Sequence, residues 1–123
     1  MADIAAVNGG VEAINVLTFT ATNSGGDSLV LSNRDCDLLI IFKNDAAGSV
    51  TPTIANQVAA SLESAEFGLV QKSDLSQAIA TTVIRAVRIP KKYLGQYLTA
   101  ANKINLTYAS HDVAFKVAAI QMA

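Results

Sequence analysis

The chain has 123 residues, the length of one domain, and a domain of this size buries roughly two-thirds of the surface its unfolded form exposes. A formal charge of −1 with charged residues at 15% supplies neither the basic field that nucleic acid or an anionic membrane surface requires nor the acidic excess of a disordered tail. One cysteine, Cys36, excludes an intrachain disulfide and a multi-cysteine metal or cluster site, while hydrophobic residues at 51% predict that other subunits cover part of the apolar surface.

Met1 to Asn8 has no cationic start and too short an apolar stretch for a signal peptide, and no run approaches the length of a membrane span. A soluble protein made in a cytoplasm is expected. Residues 1–10 lack a sustained period and end in Gly9-Gly10. They are expected to form an N-terminal arm in which Ile4, Ala5, Ala6 and Val7 contact a neighbouring subunit or partner rather than contribute to the fold, a frayed tail being the alternative. Residues 11–123 then make a single β domain. Ala13 to Thr22 alternates with a period of two and predicts the first strand. The turn formers Asn23-Ser24-Gly25-Gly26-Asp27 lead to a second strand, Ser28 to Ser32, placed to pair with the first as a hairpin.

Leu38-Leu39-Ile40-Ile41-Phe42, closed by Asp35-Cys36-Asp37 and Lys43-Asn44-Asp45, reads as a strand buried on both faces around which the rest is organised. Val50-Thr51-Pro52-Thr53-Ile54 is extended, with Pro52 at a sheet edge or bulge because it cannot donate to a ladder. Over residues 55–74, Val58, Leu62, Ala65 and Leu69 stand at helical spacings that Phe67-Gly68-Leu69 interrupts, so a short helix within 55–70 and extended or irregular structure both fit. Val83, Arg85, Val87 and Ile89 form a mostly apolar face into which Arg85 intrudes, and Pro90 ends that strand. Lys91 to Asn102 reads as a surface connection. Ile104, Leu106 and Tyr108 mark a half-buried strand, Ser110-His111-Asp112 a turn, and Val113 to Met122 a last strand apolar on both faces. Seven or eight short strands with intervening turns predict an all-β antiparallel sandwich or jelly roll.

The residues that could carry chemistry have plainer roles. His111 is the only histidine, and Asp112 beside it in sequence implies no relay geometry; a turn histidine is expected. The charges of Asp35 and Asp37 would raise the Cys36 thiol rather than activate it, which makes Cys36 structural. Asn33, Asp35, Asp37, Asn44 and Asp45 lack the regular spacing of a calcium loop. Gly9-Gly10 and Gly25-Gly26 are turn glycines, since no phosphate-loop continuation follows either. Lys91-Lys92 with Tyr93 and Tyr97 is a weak nucleic-acid patch in a net-acidic chain, and Asn105-Leu106-Thr107, though a glycosylation pattern, sits inside a strand. No catalytic residue, metal or cofactor is expected.

Leu38 to Asn44 followed by Val50 to Ile54, then Phe67-Gly68-Leu69, Ser73-Asp74-Leu75, Arg85 to Pro90, Tyr97, Lys103 to Tyr108 and Lys116 to Ile120, resembles the succession in small capsid decoration, or cement, proteins of tailed bacteriophages. The resemblance spans about two-thirds of the chain and implies a β-sandwich or jelly-roll module, commonly a trimer. Such a module sits on the outer capsid surface of the virion, clamps neighbouring major capsid protein subunits, and takes no nucleic acid, membrane or small-molecule substrate. The competing reading is a ligand- or carbohydrate-binding β module, against which stand the absence of Trp and the 6% aromatic content, since sugar platforms rely on flat exposed rings.

Overall fold

A computed structural model describes residues 2–9, 19–32, 36–57, 61–64, 68–71 and 74–122. They form an all-β sandwich of two five-stranded sheets with a small separate hairpin. The first sheet has the order β1 (Ala2–Ala5), β4 (Asp27–Val30), β11 (Lys103–Ala109), β6 (Thr51–Ile54), β9 (Leu75–Ser76). The second has the order β10 (Ile84–Ile89), β5 (Asp37–Asn44), β12 (Phe115–Met122), β2 (Val7–Gly9), with β3 (Thr20–Ala21) also pairing β12. β7 (Ser61–Ser64) and β8 (Gly68–Gln71) pair only with each other.

β5 is the centre of its sheet, held antiparallel by β10 on one side and β12 on the other. Its burial alternates along the strand: Leu38, Ile40, Phe42 and Asn44 are buried, whereas Leu39, Ile41 and Lys43 are half-buried. The expectation of burial on both faces is therefore corrected, because among the described residues only the inner face has a second sheet packed on it. Opposite Phe42, Ile40 and Leu38 in β12 stand Val117, Ala119 and Gln121, and the period-two pleat puts each such pair on one face. The Phe42 ring stacks on Phe115 at 5.7 Å, and Phe115 meets Tyr108 edge-on at 5.7 Å. Truncating so large a core side chain to alanine costs about 3–5 kcal/mol.

The N-terminal segment differs most from expectation. β1 pairs parallel with β4 in the first sheet and β2 parallel with β12 in the second, so the chain passes from one sheet to the other at Ala6, whose N–H donates to the Val30 carbonyl at 3.0 Å. Residues 2–9 are thus part of the sandwich and not an arm outside it. Ile4 is buried in the core between exposed Asp3 and Ala5, a period-two alternation too short to signal a strand on its own. Because β1 and β2 are consecutive and each closes one end of its sheet, they seal that flank of the sandwich. At the opposite flank β9 and β10 are likewise consecutive, and the chain crosses between the sheets after Ile79, where Thr82 and Val83 make backbone hydrogen bonds with Asn44.

Other expectations fall into place or are corrected. Most of the first expected strand, residues 13–18, lies outside the described residues; its end, β3, joins the sheet opposite β4, so these two do not form a hairpin. Gly26 makes the crossing turn with φ of 96°, and a Cβ there would lie 2.6 Å from the Leu106 carbonyl oxygen. The described parts of 55–70 are irregular at 55–57 and otherwise strand, and the one described helix, α1, is Lys91–Leu94. The Lys91 to Asn102 connection is not merely superficial, since Leu94, Tyr97 and Leu98 are buried. Pro52 keeps its expected place: Val50 exchanges backbone hydrogen bonds with Ile79 while the Ala55 N–H turns to Asn105 of β11. By alternation Pro52 faces, like Val50, away from β11 and toward the β9 side, at a position beyond the residues that β9 pairs, where no donor is required.

Candidate functional site

Among the described residues, no buried side-chain nitrogen or oxygen lacks a hydrogen-bond partner, and the buried polar groups hold loops to strands. Asn44, at the end of β5, is completely buried; its Nδ2 donates to the carbonyls of Ile79 at 2.7 Å and Gly48 at 3.0 Å, and its Oδ1 accepts the Ala46 N–H at 2.9 Å. Asp27, also buried, accepts the Tyr108 hydroxyl at 2.7 Å and the Asn23 amide at 2.8 Å. Burial first, and then the Asp27 carboxylate, push the Tyr108 hydroxyl far above its ordinary pKa. Thr22 completes this end: its hydroxyl donates to the Phe115 carbonyl at 2.6 Å, so toward His111 Nε2, 2.8 Å away, it accepts, which assigns the proton to Nε2. The His111 ring also lies 5.5 Å from that of Tyr108. His111 thus fastens a turn, and Asp112 turns away to cap the Ala114 N–H at 2.8 Å.

The remaining sequence candidates are dispersed. Cys36 is buried, with its thiol 3.9 Å from Gln121 Oε1. Asn33 and Asp35 lie outside the described residues. Asp37 accepts Arg88 Nη2 and the Lys91 N–H, each at 2.7 Å; the Arg88 bond, and then the Lys91 one, hold its carboxyl below the ordinary value. Asp45 pairs with Lys43 and Lys116, each at 3.6 Å. No group of three or more His, Cys, Asp or Glu is placed to hold a metal among the described residues. Lys92 lies over Tyr93 at 5.0 Å, while Tyr97 is buried and its hydroxyl is raised by burial and then by Asp74. Asn105 accepts the Ser28 hydroxyl at 2.9 Å. Of the expected contact residues, Ile4 is core, Ala5 is exposed, Ala6 is half-buried and packs on the core, and Val7 is in β2.

The flank opposite the N-terminal stitch, beside the β9–β10 crossing, is the less filled of the two. There a groove of about 340 Å³ separates β6, β9 and Ile79 of one sheet from β5 and β10 of the other. Core residues Phe42, Ile54 and Ile79 line it, together with Pro52, Leu75 and Val87. Arg85 and Ala86 of the exposed strand β10 complete the wall, so the intrusion of Arg85 into an apolar face is the one sequence signal of this groove. The rest is gathered from segments far apart in the chain. No helix among the described residues is long and apolar enough to cross a membrane. Neither family models, nor curated proteins, nor solved structures give a match to this chain.

Proposed function

We propose that the protein is a structural virion component, a decoration protein that binds the outer surface of a tailed-phage capsid, clamps neighbouring major capsid protein subunits and acts as a homotrimer. The observation that carries this reading is the division of labour among its described side chains. Buried polar groups tie loops to strands, and among the described residues what faces outward on the β9–β10 flank is a strand edge and an apolar groove, surfaces suited to protein contact rather than to proton transfer. The segments whose succession resembles decoration proteins, Leu38 to Asn44, Val50 to Ile54, Arg85 to Pro90, Lys103 to Tyr108 and Lys116 to Ile120, overlap the strands that build both sheets. The test is co-sedimentation with expanded phage heads stripped of outer proteins. Saturable binding at a fixed ratio to the major capsid protein supports the proposal, and heads that pellet without the protein at micromolar concentration count against it.

One observation favours a second reading as a ligand-binding module. The groove volume of about 340 Å³ lies within the range of small-molecule sites. A ligand there would be apolar and compact, with Arg85 as its polar contact. Retention of such a compound through gel filtration by protein that ignores phage heads is the outcome that would favour it.

A further inference from the structure

Among the described strands, β10 has a neighbour on one side only. The Asn44 N–H donates to the Val83 carbonyl and the Asn44 carbonyl accepts from Thr82, so the backbone of β5 turns toward β10 at Asn44 and, by alternation, at Phe42, Ile40 and Leu38. Their partners Arg85, Val87 and Ile89 turn toward β5 in return, which leaves the N–H and C=O groups of Ile84, Ala86 and Arg88 pointing away from the sheet. Ile84 on this edge is 59% exposed. An edge of this kind is a template for a further strand.

The pleat puts Arg85 and Val87 on the inner face with Phe42 and Ile40, and both line the groove. Arg85 is exposed, and among the described residues no carboxylate pairs with it, whereas Arg88, Lys103, Lys43 and Lys116 each have one. An inward-facing charge bars most strands from an edge, because pairing would shut Arg85 against apolar walls with no counter-charge. A second copy of the same edge is barred as well: Ile84-Arg85-Ala86-Val87-Arg88-Ile89 has no acidic residue, and two copies would bring arginines together. A strand with a carboxylate at the matching position meets no such bar, so Arg85 selects its partner by charge. The groove of about 340 Å³, walled by Val87, Ile54 and Leu75, has room for an apolar side chain beside that carboxylate.

We propose that the free edge of β10 receives an extended segment of the major capsid protein, which sets a carboxylate opposite Arg85 and, two residues along, an apolar side chain opposite Val87 and into the groove. The inference rests on the capsid reading and adds to it the docking edge and the chemistry of the segment that docks. Main-chain hydrogen bonds to Ile84, Ala86 and Arg88 supply the affinity, and the two inward side chains fix the register.

The experiment reads co-sedimentation with stripped heads for the parent, Ala86→Pro, Arg85→Glu and Lys92→Glu, each checked for an intact melt and for the parent's mass by sedimentation equilibrium. Ala86→Pro removes an outward N–H without touching the β5 ladder. Lys92→Glu makes the same change of net charge as Arg85→Glu, outside the groove. Ala86→Pro and Arg85→Glu are expected to weaken head binding at least about tenfold, and Lys92→Glu to stay within about threefold of the parent. Hydrogen exchange on the bound parent gives a readout that no substitution disturbs: the amides of Ile84, Ala86 and Arg88 are expected to slow at least about tenfold on heads. Heads that bind the parent, Ala86→Pro and Arg85→Glu alike, or a bound parent whose amides in 84–88 exchange as in the free protein, overturn this inference and leave the capsid reading standing. Heads that do not bind the parent overturn both. A variant that loses head binding together with the parent's mass would assign the edge to self-association, and Lys92→Glu weakening binding as much as Arg85→Glu would reduce the effect to net charge; either result also overturns the proposal.

Discussion

The Asn44 side-chain amide donates to the Ile79 carbonyl at 2.7 Å, joining the end of the central strand to the segment that bridges back to β6. Two further bonds, to the Gly48 carbonyl and from the Ala46 N–H, make this one side chain the fastener of two loops. Asn44→Ala leaves the buried Ala46 N–H without its partner and takes from the Ile79 carbonyl one of its two donors, the Val50 N–H remaining, and is expected to cost about 3 kcal/mol in urea denaturation. Asn44→Asp keeps the acceptor for Ala46 but turns an oxygen on two carbonyls, and is expected to cost at least as much at neutral pH. A parent-like midpoint for either variant would contradict this role.

At the other end of the sandwich, Tyr108→Phe removes the hydroxyl that donates to buried Asp27. A hydrogen bond to a buried carboxylate contributes about 2 kcal/mol, and that loss is expected in the same assay. The raised hydroxyl gives a second readout. In an alkaline absorbance titration, Tyr108 should stay neutral through the ordinary tyrosine range near 10.0 and ionise only with unfolding, and Tyr108→Phe should delete that late phase.

Asp37 fixes the pH dependence near α1. Its carboxyl titrates below the ordinary 3.8 because Arg88, and then the Lys91 N–H, favour the ionised form. A lowered folded-state value contributes stability that is fully present above 3.8 and is lost as pH falls through the lowered value. Asp37→Asn is therefore expected to melt below the parent at neutral pH, with the two converging on acidification. A constant gap down to pH 2 would show that the loss is steric rather than electrostatic.

Deleting residues 2–9 removes Ile4 from the core and strips one parallel neighbour from each of β4 and β12. The expected cost is at least about 3 kcal/mol, seen as a lower thermal midpoint with more hydrogen exchange in β4 and β12. An unchanged midpoint would restore the view of this segment as an appendage.

The sequence made the sandwich legible where composition and period agreed. The apolar run Leu38 to Phe42 located the central strand, but such a run cannot say which face meets the second sheet, and only Leu38, Ile40 and Phe42 do so fully. Leu94, Tyr97 and Leu98, at spacings of three and four, carried a helical signature inside a stretch read as a surface connection, and all three are buried. Residues 2–9 were illegible for another reason: parallel pairing to β4 and β12 depends on partners distant in sequence, and each strand is too short to show a period. The groove had no local signal beyond Arg85, because its lining comes together only when the sheets stack.

The clamp account is tested most directly by scanning calorimetry of stripped phage heads with and without saturating protein. A clamp binds assembled neighbours and not separated subunits, so its binding must raise the temperature at which heads come apart. The account predicts an upward shift of several degrees that grows with occupancy. Heads that carry the protein at full occupancy yet disrupt at an unchanged temperature would contradict it.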